Sequence, residues 1–319
     1  MLKKVLMNIL KAALALGLLW WLANSGKLNW ALLSEITARP GRLAFVGCLL
    51  FSNLLLCSWR WRLLLSARAK QLMGLGRLYF VNWIGMFFSS ALPGSVTGDV
   101  VKVLYVKRQD ERLSMPFLLF SCLIDRVMGL IGLILLIGCN TLLNFDELMA
   151  LSPKLAPLLR FNLILLLALS IALTLYFAAP GVITRTLAWP KDRWPGKALF
   201  ARLRDLWSDF AEARPQMLKC ILISVVVQTT GAMVFHILAT PLYHTQLSAS
   251  VVLSIIPLGF IAVAVPIAPG GLGVGHAAFQ SLFVLIGEQG GANFFNLYFV
   301  VNMVFNLLGF IPWLVMRRK

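Results

Sequence analysis

Long apolar segments are the feature of this sequence that most limits its fold. Each is close to the ~20 residues that an α-helix needs to cross the hydrocarbon core of a membrane. Their residues do not alternate at a period of two, as the strands of a membrane β-barrel do. The segments are Val5–Ala23, Leu43–Cys57, Met115–Leu143, Leu158–Ala178 and Phe294–Met316. The sequence therefore predicts an all-α polytopic integral membrane protein, with residues 1–319 as one transmembrane domain.

The basic residues indicate how these segments are oriented. The chain carries 29 Lys and Arg against 12 Asp and Glu, for a net charge of +17. Most of these cations fall in segments that can all lie on one side of the membrane, which is the positive-inside pattern. These segments are 3–11, 60–77, 100–112, 185–219 and 317–319. We therefore expect both termini in the cytoplasm, a bacterial-type inner (cell) membrane and no nucleic-acid partner. Whether residues 5–23 cross the membrane stays open, because the loop after them is also basic.

Two apolar segments are interrupted by glycine and proline, at ALPGSVTGD (residues 91–99) and at VPIAPGGLGVGH (residues 265–276). Basic residues stand on both sides of the first segment, whereas no Lys or Arg stands beside the second. The positive-inside pattern therefore predicts that each segment enters and leaves on the same side of the membrane. We predict two re-entrant helical hairpins that enter from opposite faces. For residues 251–287 the alternative is two short spans, although the second would have only about a dozen residues.

The two interruptions occupy corresponding positions in two halves of opposite orientation. The halves are 43–143 and 217–316, and a helix at 158–178 with a basic cytoplasmic loop at 180–215 joins them. The complete prediction is about six to eight transmembrane helices plus the two hairpins, arranged as an inverted repeat. Matched interruptions of this kind indicate the binding site of a transporter.

A helix that begins at such a break presents free N–H groups and its positive dipole end, which favour an anion such as a lipid phosphate. The alternative is that the breaks are kinks sealed by neighbouring helices. The predicted substrate-binding or translocation residues are Pro93, Gly94, Ser95, Thr97, Gly98, Asp99, Asp125, Arg126, Pro269, Gly270, Gly271, Gly273, Gly275 and His276.

Asp125 and Arg126 are in this set because charged residues inside a span are costly and usually functional. Adjacent residues on a helix do not face each other, so these two cannot satisfy one another well. We expect Arg126 to face the protein interior and to pair with Asp99 or with a substrate phosphate. The alternative is that both residues extend to the cytoplasmic interface.

Small and polar residues also recur at helical spacing. Gly129 and Gly132 give one span a thin face that another helix can approach closely. Three further faces suggest a polar seam, with interhelical hydrogen bonding as the more frequent use of such residues. The first face consists of Asn82, Gly85 and Ser89, the second of Ser224, Gln228 and Gly231, and the third of Asn302, Asn306 and Gly309. The scattered cysteines and histidines have no metal-ligand spacing, so we expect no metal and no cofactor.

Three motifs resemble the lysylphosphatidylglycerol synthase transmembrane-region family, also called UPF0104. They are ALPGSVTGDVVKVLYVKR, LIDRVMGLIGL and PIAPGGLGVGHAAF, and the resemblance extends over essentially the whole chain. It implies a flippase-like membrane domain that moves a lipid between leaflets. In founding members this domain is fused to a soluble aminoacyl-transferase domain. We expect no counterpart of that domain in this protein, so the resemblance does not imply synthase activity.

The expected function is that of a lipid transporter or flippase that moves a phosphate-bearing phospholipid or glycolipid between leaflets. The alternatives are a membrane enzyme, or an accessory subunit of a lipid or envelope-glycolipid biosynthetic pathway. We do not expect an enzyme, because the sequence offers no acid/base cluster and no paired acidic residues for metal-assisted chemistry. The expected partners are a membrane phospholipid or lipid-linked substrate, with a second copy of the chain or a lipid-biosynthetic enzyme.

Overall fold

Helices form every regular element of the residues that the structure describes. The structure is a computed structural model, and it describes residues 39–69, 72–91, 97–179, 205, 207–243, 246–264, 271 and 273–316. Within these ranges, five helical stretches are long and apolar enough to cross a membrane: Pro40–Leu65, Met115–Leu143, Pro153–Ala178, Arg214–Leu242 and Gly291–Met316. The predicted all-α polytopic fold is therefore confirmed. The expected span at 5–23 and most of the basic loop at 180–215 lie outside the described residues.

Proline in the first turn begins several of the helices, because its missing N–H would have no partner there. This holds for the helices that start at Pro40, Met115, Ala156 and Arg214. Two 3₁₀ turns, Pro153–Leu155 and Thr240–Leu242, adjoin these helices. In chain order the α-helices are α1 Pro40–Leu65, α2 Leu75–Ala91, α3 Thr97–Gln109, α4 Met115–Leu143, α5 Phe145–Leu151, α6 Ala156–Ala178, α7 Arg214–Ala239, α8 Ala249–Ala264, α9 Val274–Leu285, α10 Gly291–Leu307 and α11 Phe310–Met316.

The first interruption separates α2 from α3, and the two helices pack against each other as a hairpin. They approach so closely that a Cβ on Gly98 would collide with the carbonyl of Gly85 and with Ser89. The Thr97 hydroxyl also donates to the Phe88 carbonyl oxygen at 3.4 Å. At 13 residues, α3 is only about 20 Å long, so it is too short to cross the ~30 Å hydrocarbon core.

The second interruption separates α8 from α9, which form the other hairpin. Gly259 of α8 packs against the Phe279 ring of α9, and Gly271, in the break, packs against Val263. With 12 residues, α9 is about 18 Å long and shorter than a membrane span. This length favours the hairpin over two short spans. Entry of the two hairpins from opposite faces of the membrane stays a prediction.

The two halves pack their helices in the same way. The α1·α2, α2·α3, α3·α4 and α1·α4 contacts of the first half have counterparts in the α7·α8, α8·α9, α9·α10 and α7·α10 contacts of the second. Between the halves, α1 packs against α7. The contact of α4 with α8 has its counterpart in the contact of α10 with α2. A repeat of either orientation gives this correspondence, so the inverted arrangement of the halves stays a prediction.

Amide and hydroxyl groups attach the second hairpin to α4. The side-chain amide of Asn140 donates to the Ser250 carbonyl and to the Ser254 hydroxyl, both at 2.7 Å. Beyond the end of α4, the Ser248 hydroxyl donates to the Glu147 carboxylate at 2.7 Å. Hydrogen bonds from Ser250 and Ser248 lower the pKa of Glu147.

Candidate functional site

Five charged side chains meet beside the first interruption. They come from three helices: Arg60 from α1, Asp99 and Lys102 from α3, and Asp125 and Arg126 from α4. We call these five residues the charge cluster. It contains three cations and two carboxylates, and it lies within or next to the predicted membrane-spanning part of the chain.

Asp99 connects α3 to α4 within the charge cluster. One of its carboxylate oxygens accepts from Arg126 Nη2 at 2.6 Å and from Arg126 Nε at 2.9 Å. The other oxygen lies 3.1 Å from Lys102 Nζ, one turn further along α3. The predicted pairing of Arg126 with Asp99 is therefore present. Asp99 also lies in the first turn of α3, where the helix dipole favours a negative charge.

Arg60 and Asp125 form the second ion pair of the cluster. The Arg60 Nε donates to Asp125 Oδ1 at 2.7 Å, and its Nη1 donates to the Ser224 hydroxyl of α7 at 2.9 Å. The side chains of Arg60 and Asp125 are only 6% and 13% exposed. A charge buried to this degree is tolerated because it is paired and hydrogen-bonded.

The structure contradicts the orientation that was predicted for Arg126. Asp125 faces the interior, whereas the side chain of Arg126 is 44% exposed. The prediction that Arg126 faces inward was therefore wrong. The physical reason is that Arg60 supplies an internal partner for Asp125. The distribution of basic residues alone assigns Arg60 to a cytoplasmic segment.

Arg60 and Lys102 are the two members of the cluster that are not among the predicted site residues. The positive-inside pattern assigns both to cytoplasmic basic segments, but α1 continues past Arg60 to Leu65 and buries it. Lys102 is 12% exposed, and its ammonium group lies 4.6 Å from the centre of the Trp61 ring. Asn53, Cys57 and Arg60 are spaced i, i+4 and i+7 and so share one helix face. That spacing is the signal that would have marked Arg60 as internal.

The predicted close approach of another helix at Gly129 and Gly132 is present, and it brings α7 against the charge cluster. A Cβ on Gly132 would lie 2.7 Å from the Cβ of Ser224, the residue whose hydroxyl accepts from Arg60. Three residues earlier, the Gly129 carbonyl accepts from the Gln228 amide at 2.9 Å. Close approach at these glycines therefore lets a hydroxyl of α7 reach the buried arginine.

At the second interruption the described residues form a turn and a helix start. Gly271 and Gly273 have φ values of +74° and +82°, which residues with a Cβ rarely adopt. The His276 Nδ1 accepts a 3.4 Å hydrogen bond from the Gly273 amide at the start of α9. Gly275 packs directly under the Phe295 ring of α10, and the same ring makes an edge contact with the ring of His276.

The predicted site residues thus fall into two groups. Thr97, Gly98 and Asp99 lie against α2 and α4, close to Asp125 and Arg126. The second group, Gly271, Gly273, Gly275 and His276, lies against α8 and α10. The described residues of the two breaks therefore have different surroundings, one charged and one aromatic. Five predicted residues lie outside the described residues: Pro93, Gly94, Ser95, Pro269 and Gly270.

The polar faces noted in the sequence contribute hydrogen bonds between helices. The Asn82 amide donates to the Ser58 hydroxyl at 2.9 Å, which joins α2 to α1. The Asn306 amide donates to the Ser90 hydroxyl at 3.1 Å, which joins α10 to α2. Of the functional and structural interpretations of these faces, the described contacts favour the structural one. The described part of the chain contains no group of three or more His, Cys, Asp or Glu residues that could hold a metal ion.

A family comparison agrees with this architecture. The model described as "Lysylphosphatidylglycerol synthase TM region" matches residues 8–309. The chain belongs to this family. No curated protein and no solved structure matches the chain. As a member of the lysylphosphatidylglycerol synthase TM region family, it is a multi-pass membrane protein with a role related to membrane lipids.

Proposed function

We propose that the chain is a flippase, which moves a phosphate-bearing phospholipid or glycolipid between the leaflets of a bacterial inner (cell) membrane. The observation that carries this proposal is the unequal charge of the cluster beside the first hairpin. Arg60, Lys102 and Arg126 outnumber Asp99 and Asp125 by one positive charge. An excess charge at membrane depth is unfavourable without a counter-ion, and a lipid phosphate supplies one.

The geometry supports a phosphate at the exposed end of the cluster. Arg60 and Asp125 neutralise each other in the interior. Asp99 forms ion pairs with both Lys102 and Arg126. The exposed end of the cluster therefore contains two cations and one carboxylate. A guanidinium binds phosphate oxygens through two parallel hydrogen bonds. The phosphate would therefore share Arg126 with Asp99, while the lipid tails stay in the bilayer.

The correspondence between the two halves supports a transport function. In transporters built from inverted repeats, one half moves against the other around a site near the middle of the membrane. The charge cluster lies where α3 of the first hairpin meets α4, and α4 in turn holds the second hairpin through Asn140. Movement of the hairpins relative to α4 would expose the bound phosphate to one leaflet and then to the other. The cytoplasmic position of both termini belongs to the same proposal.

Reconstitution into liposomes tests the proposal. Fluorescent phospholipids and glycolipids with different head groups are incorporated, and an impermeant reductant then destroys the fluorescence of the outer leaflet. The wild-type protein should make inner-leaflet lipid accessible. Arg126→Gln should slow this movement by about tenfold, the factor expected for the loss of a hydrogen bond to a charged group. Asp99→Asn should also slow it, because Arg126 and Lys102 then lose their shared carboxylate.

Arg68→Gln is the matched control, since Arg68 forms a 3.6 Å ion pair with Asp209 outside the cluster and is 49% exposed. This variant should transport like the wild type. The flippase proposal is wrong if no lipid moves faster than in protein-free liposomes. Mass spectrometry of the same lipids would reveal a chemical change if the chain is instead an enzyme. An accessory subunit would neither move nor alter them.

A further inference from the structure

Arg126 lies in an unusual place for an arginine of a membrane-spanning helix. It is the twelfth residue of the 29-residue α4, close to the middle of that helix, and its side chain is 44% exposed. On the same side of α4 lie four exposed apolar residues, Leu119, Leu123, Val127 and Leu130. The guanidinium therefore stands within an apolar surface that faces away from the protein core.

The neighbouring helix extends this surface. Val100 and Leu104 of α3 are exposed and one turn apart, and Val100 directly follows Asp99, the partner of Arg126. We call these two residues and the four apolar residues of α4 the α3–α4 face. From Leu119 to Leu130 it extends about 16 Å along α4, roughly half of the ~30 Å hydrocarbon core. That is the length of membrane that the acyl chains of one leaflet fill.

We propose that the α3–α4 face is a docking surface for an anionic membrane lipid that arrives sideways from the bilayer. The phosphate binds Arg126 beside Asp99, and an acyl chain lies along the apolar residues of the face. This inference deepens the proposed function and rests on it, because it assigns the side of the protein by which the transported lipid enters. It also explains why a charge is kept at this depth, where it costs roughly 3 kcal/mol on insertion scales.

Charge complementarity favours a lipid over the two other candidates for covering this face. Residues 5–23 are apolar and contain Lys11 but no acidic residue, so they would bring a second cation to Arg126. A second copy of the chain docked symmetrically would place the two Arg126 residues close together, because a two-fold interface uses the same patch on both subunits. A lipid phosphate brings both an anion and an apolar chain.

Photocrosslinking in nanodiscs tests the inference directly. The intact chain is placed in neutral lipid with a trace of phosphatidic acid that carries a photoreactive group in one acyl chain. Diacylglycerol with the same chain serves as the probe without a phosphate, and labelled peptides are mapped by mass spectrometry. Phosphatidic acid should label the α3–α4 face about tenfold more than diacylglycerol does, the factor expected for one hydrogen bond to a charged group.

Two comparisons make the result specific. Arg126→Gln should abolish the preference for phosphatidic acid, and Arg126→Lys should keep most of it, because the charge remains. The exposed apolar residues Leu167, Ile171 and Leu175 of α6, which begin two turns beyond Arg160, give a matched surface without a charge, and both probes should label it equally. Misfolding of a variant would be visible as altered labelling of α6.

The inference is overturned if the two probes label the face equally, or if Arg126→Gln leaves the preference unchanged. It is also overturned if the face crosslinks to residues 5–23 or to a second copy instead of to the lipid. The liposome assay separates this outcome from failure of the proposed function. If phosphatidic acid is preferred over diacylglycerol but no lipid is transported, the flippase proposal is wrong and the lipid site stands. If lipid is transported without this preference, only the lipid site is wrong.

Discussion

Two adjacent residues of α4, Asp125 and Arg126, have opposite roles because successive residues on a helix point about 100° apart. Asp125 points inward and forms a buried ion pair with Arg60. Arg126 points outward and shares Asp99 with Lys102. The inner pair has no spare charge and holds α1, α4 and α7 together. The outer group has one cation in excess, so it is the part of the cluster that is suited to a ligand.

The two partners of the inner pair, Arg60 and Asp125, should differ in how much the loss of each destabilises the protein. Asp125→Ala leaves the Arg60 guanidinium buried without its carboxylate, and arginine cannot lose its proton. We expect this change to cost about 3–5 kcal/mol, the usual range for breaking one partner of a buried pair. Arg60→Met should cost less, because the cation Lys102 remains close enough to Asp125 to interact with it electrostatically. Thermal unfolding of the purified protein in detergent measures both effects.

The double variant Arg60→Met/Asp125→Leu supplies the control for this pair. It replaces both charges with apolar groups of similar size, an exchange that is often neutral or stabilising. Its unfolding temperature should lie well above that of Asp125→Ala. Equal unfolding temperatures for these two variants would contradict the assignment of Arg60 as the internal partner.

At the scale of the elements, several pairs of helices approach one another closely at a glycine. Gly98 lets α3 lie against α2, and Gly132 lets α4 lie against α7. At the second hairpin, Gly259 and Gly275 leave room for the rings of Phe279 and Phe295, which stack 5.2 Å apart. The two hairpins therefore differ in what lies beside these glycines, which is backbone and a serine hydroxyl in the first and aromatic rings in the second.

Gly129 and Gly132 offer a matched test of close packing, because both face α7 from the same helix. A Cβ at Gly129 meets its nearest neighbour at 3.6 Å, an ordinary contact, whereas one at Gly132 meets Ser224 at 2.7 Å. Gly132→Ala should destabilise the protein by about 1–3 kcal/mol, as overpacking does. Gly129→Ala should be neutral or stabilise by up to about 1 kcal/mol, because alanine is the better helix former. The unfolding temperatures of both variants are measured in detergent. A lower unfolding temperature for Gly129→Ala than for Gly132→Ala would contradict this account of the α4–α7 contact.

On the scale of the whole molecule, the two halves share a packing pattern but differ in chemistry. The first half contains the charge cluster, whereas the described residues of α8 and α9 include no Asp, Glu, Lys or Arg. Helix α4 links the two hairpins, with Arg126 bound to the first and Asn140 to the second, about 21 Å further along the helix. A lipid phosphate bound at Arg126 would therefore act on a helix that contacts both hairpins.

The spans and hairpins were predictable, since apolar length and glycine–proline breaks are local properties of the sequence. The Arg126–Asp99 pair was also predictable, because a mid-span charge needs a partner and the first break supplies a carboxylate. The burial of Arg60 and Lys102 was not predicted. Both residues adjoin basic segments, and only the tertiary contacts with Asp125, Asp99 and Trp61 show that they lie inside. The aromatic setting of Gly275 was missed for the same reason, since Phe295 is remote in sequence.

The orientation of the whole molecule gives the last prediction. If basic segments lie in the cytoplasm, the end of α3 is internal, and the α4–α5 and α9–α10 connections are external. Single cysteines replace the exposed residues Arg108, Asp146 and Gln289 in a background without Cys48, Cys57 and Cys139. An impermeant maleimide applied to intact spheroplasts should label Asp146→Cys and Gln289→Cys at once, but Arg108→Cys only after the membrane is opened. Labelling of Gln289→Cys only after opening would contradict entry of the second hairpin from outside, and with it the inverted arrangement of the two halves.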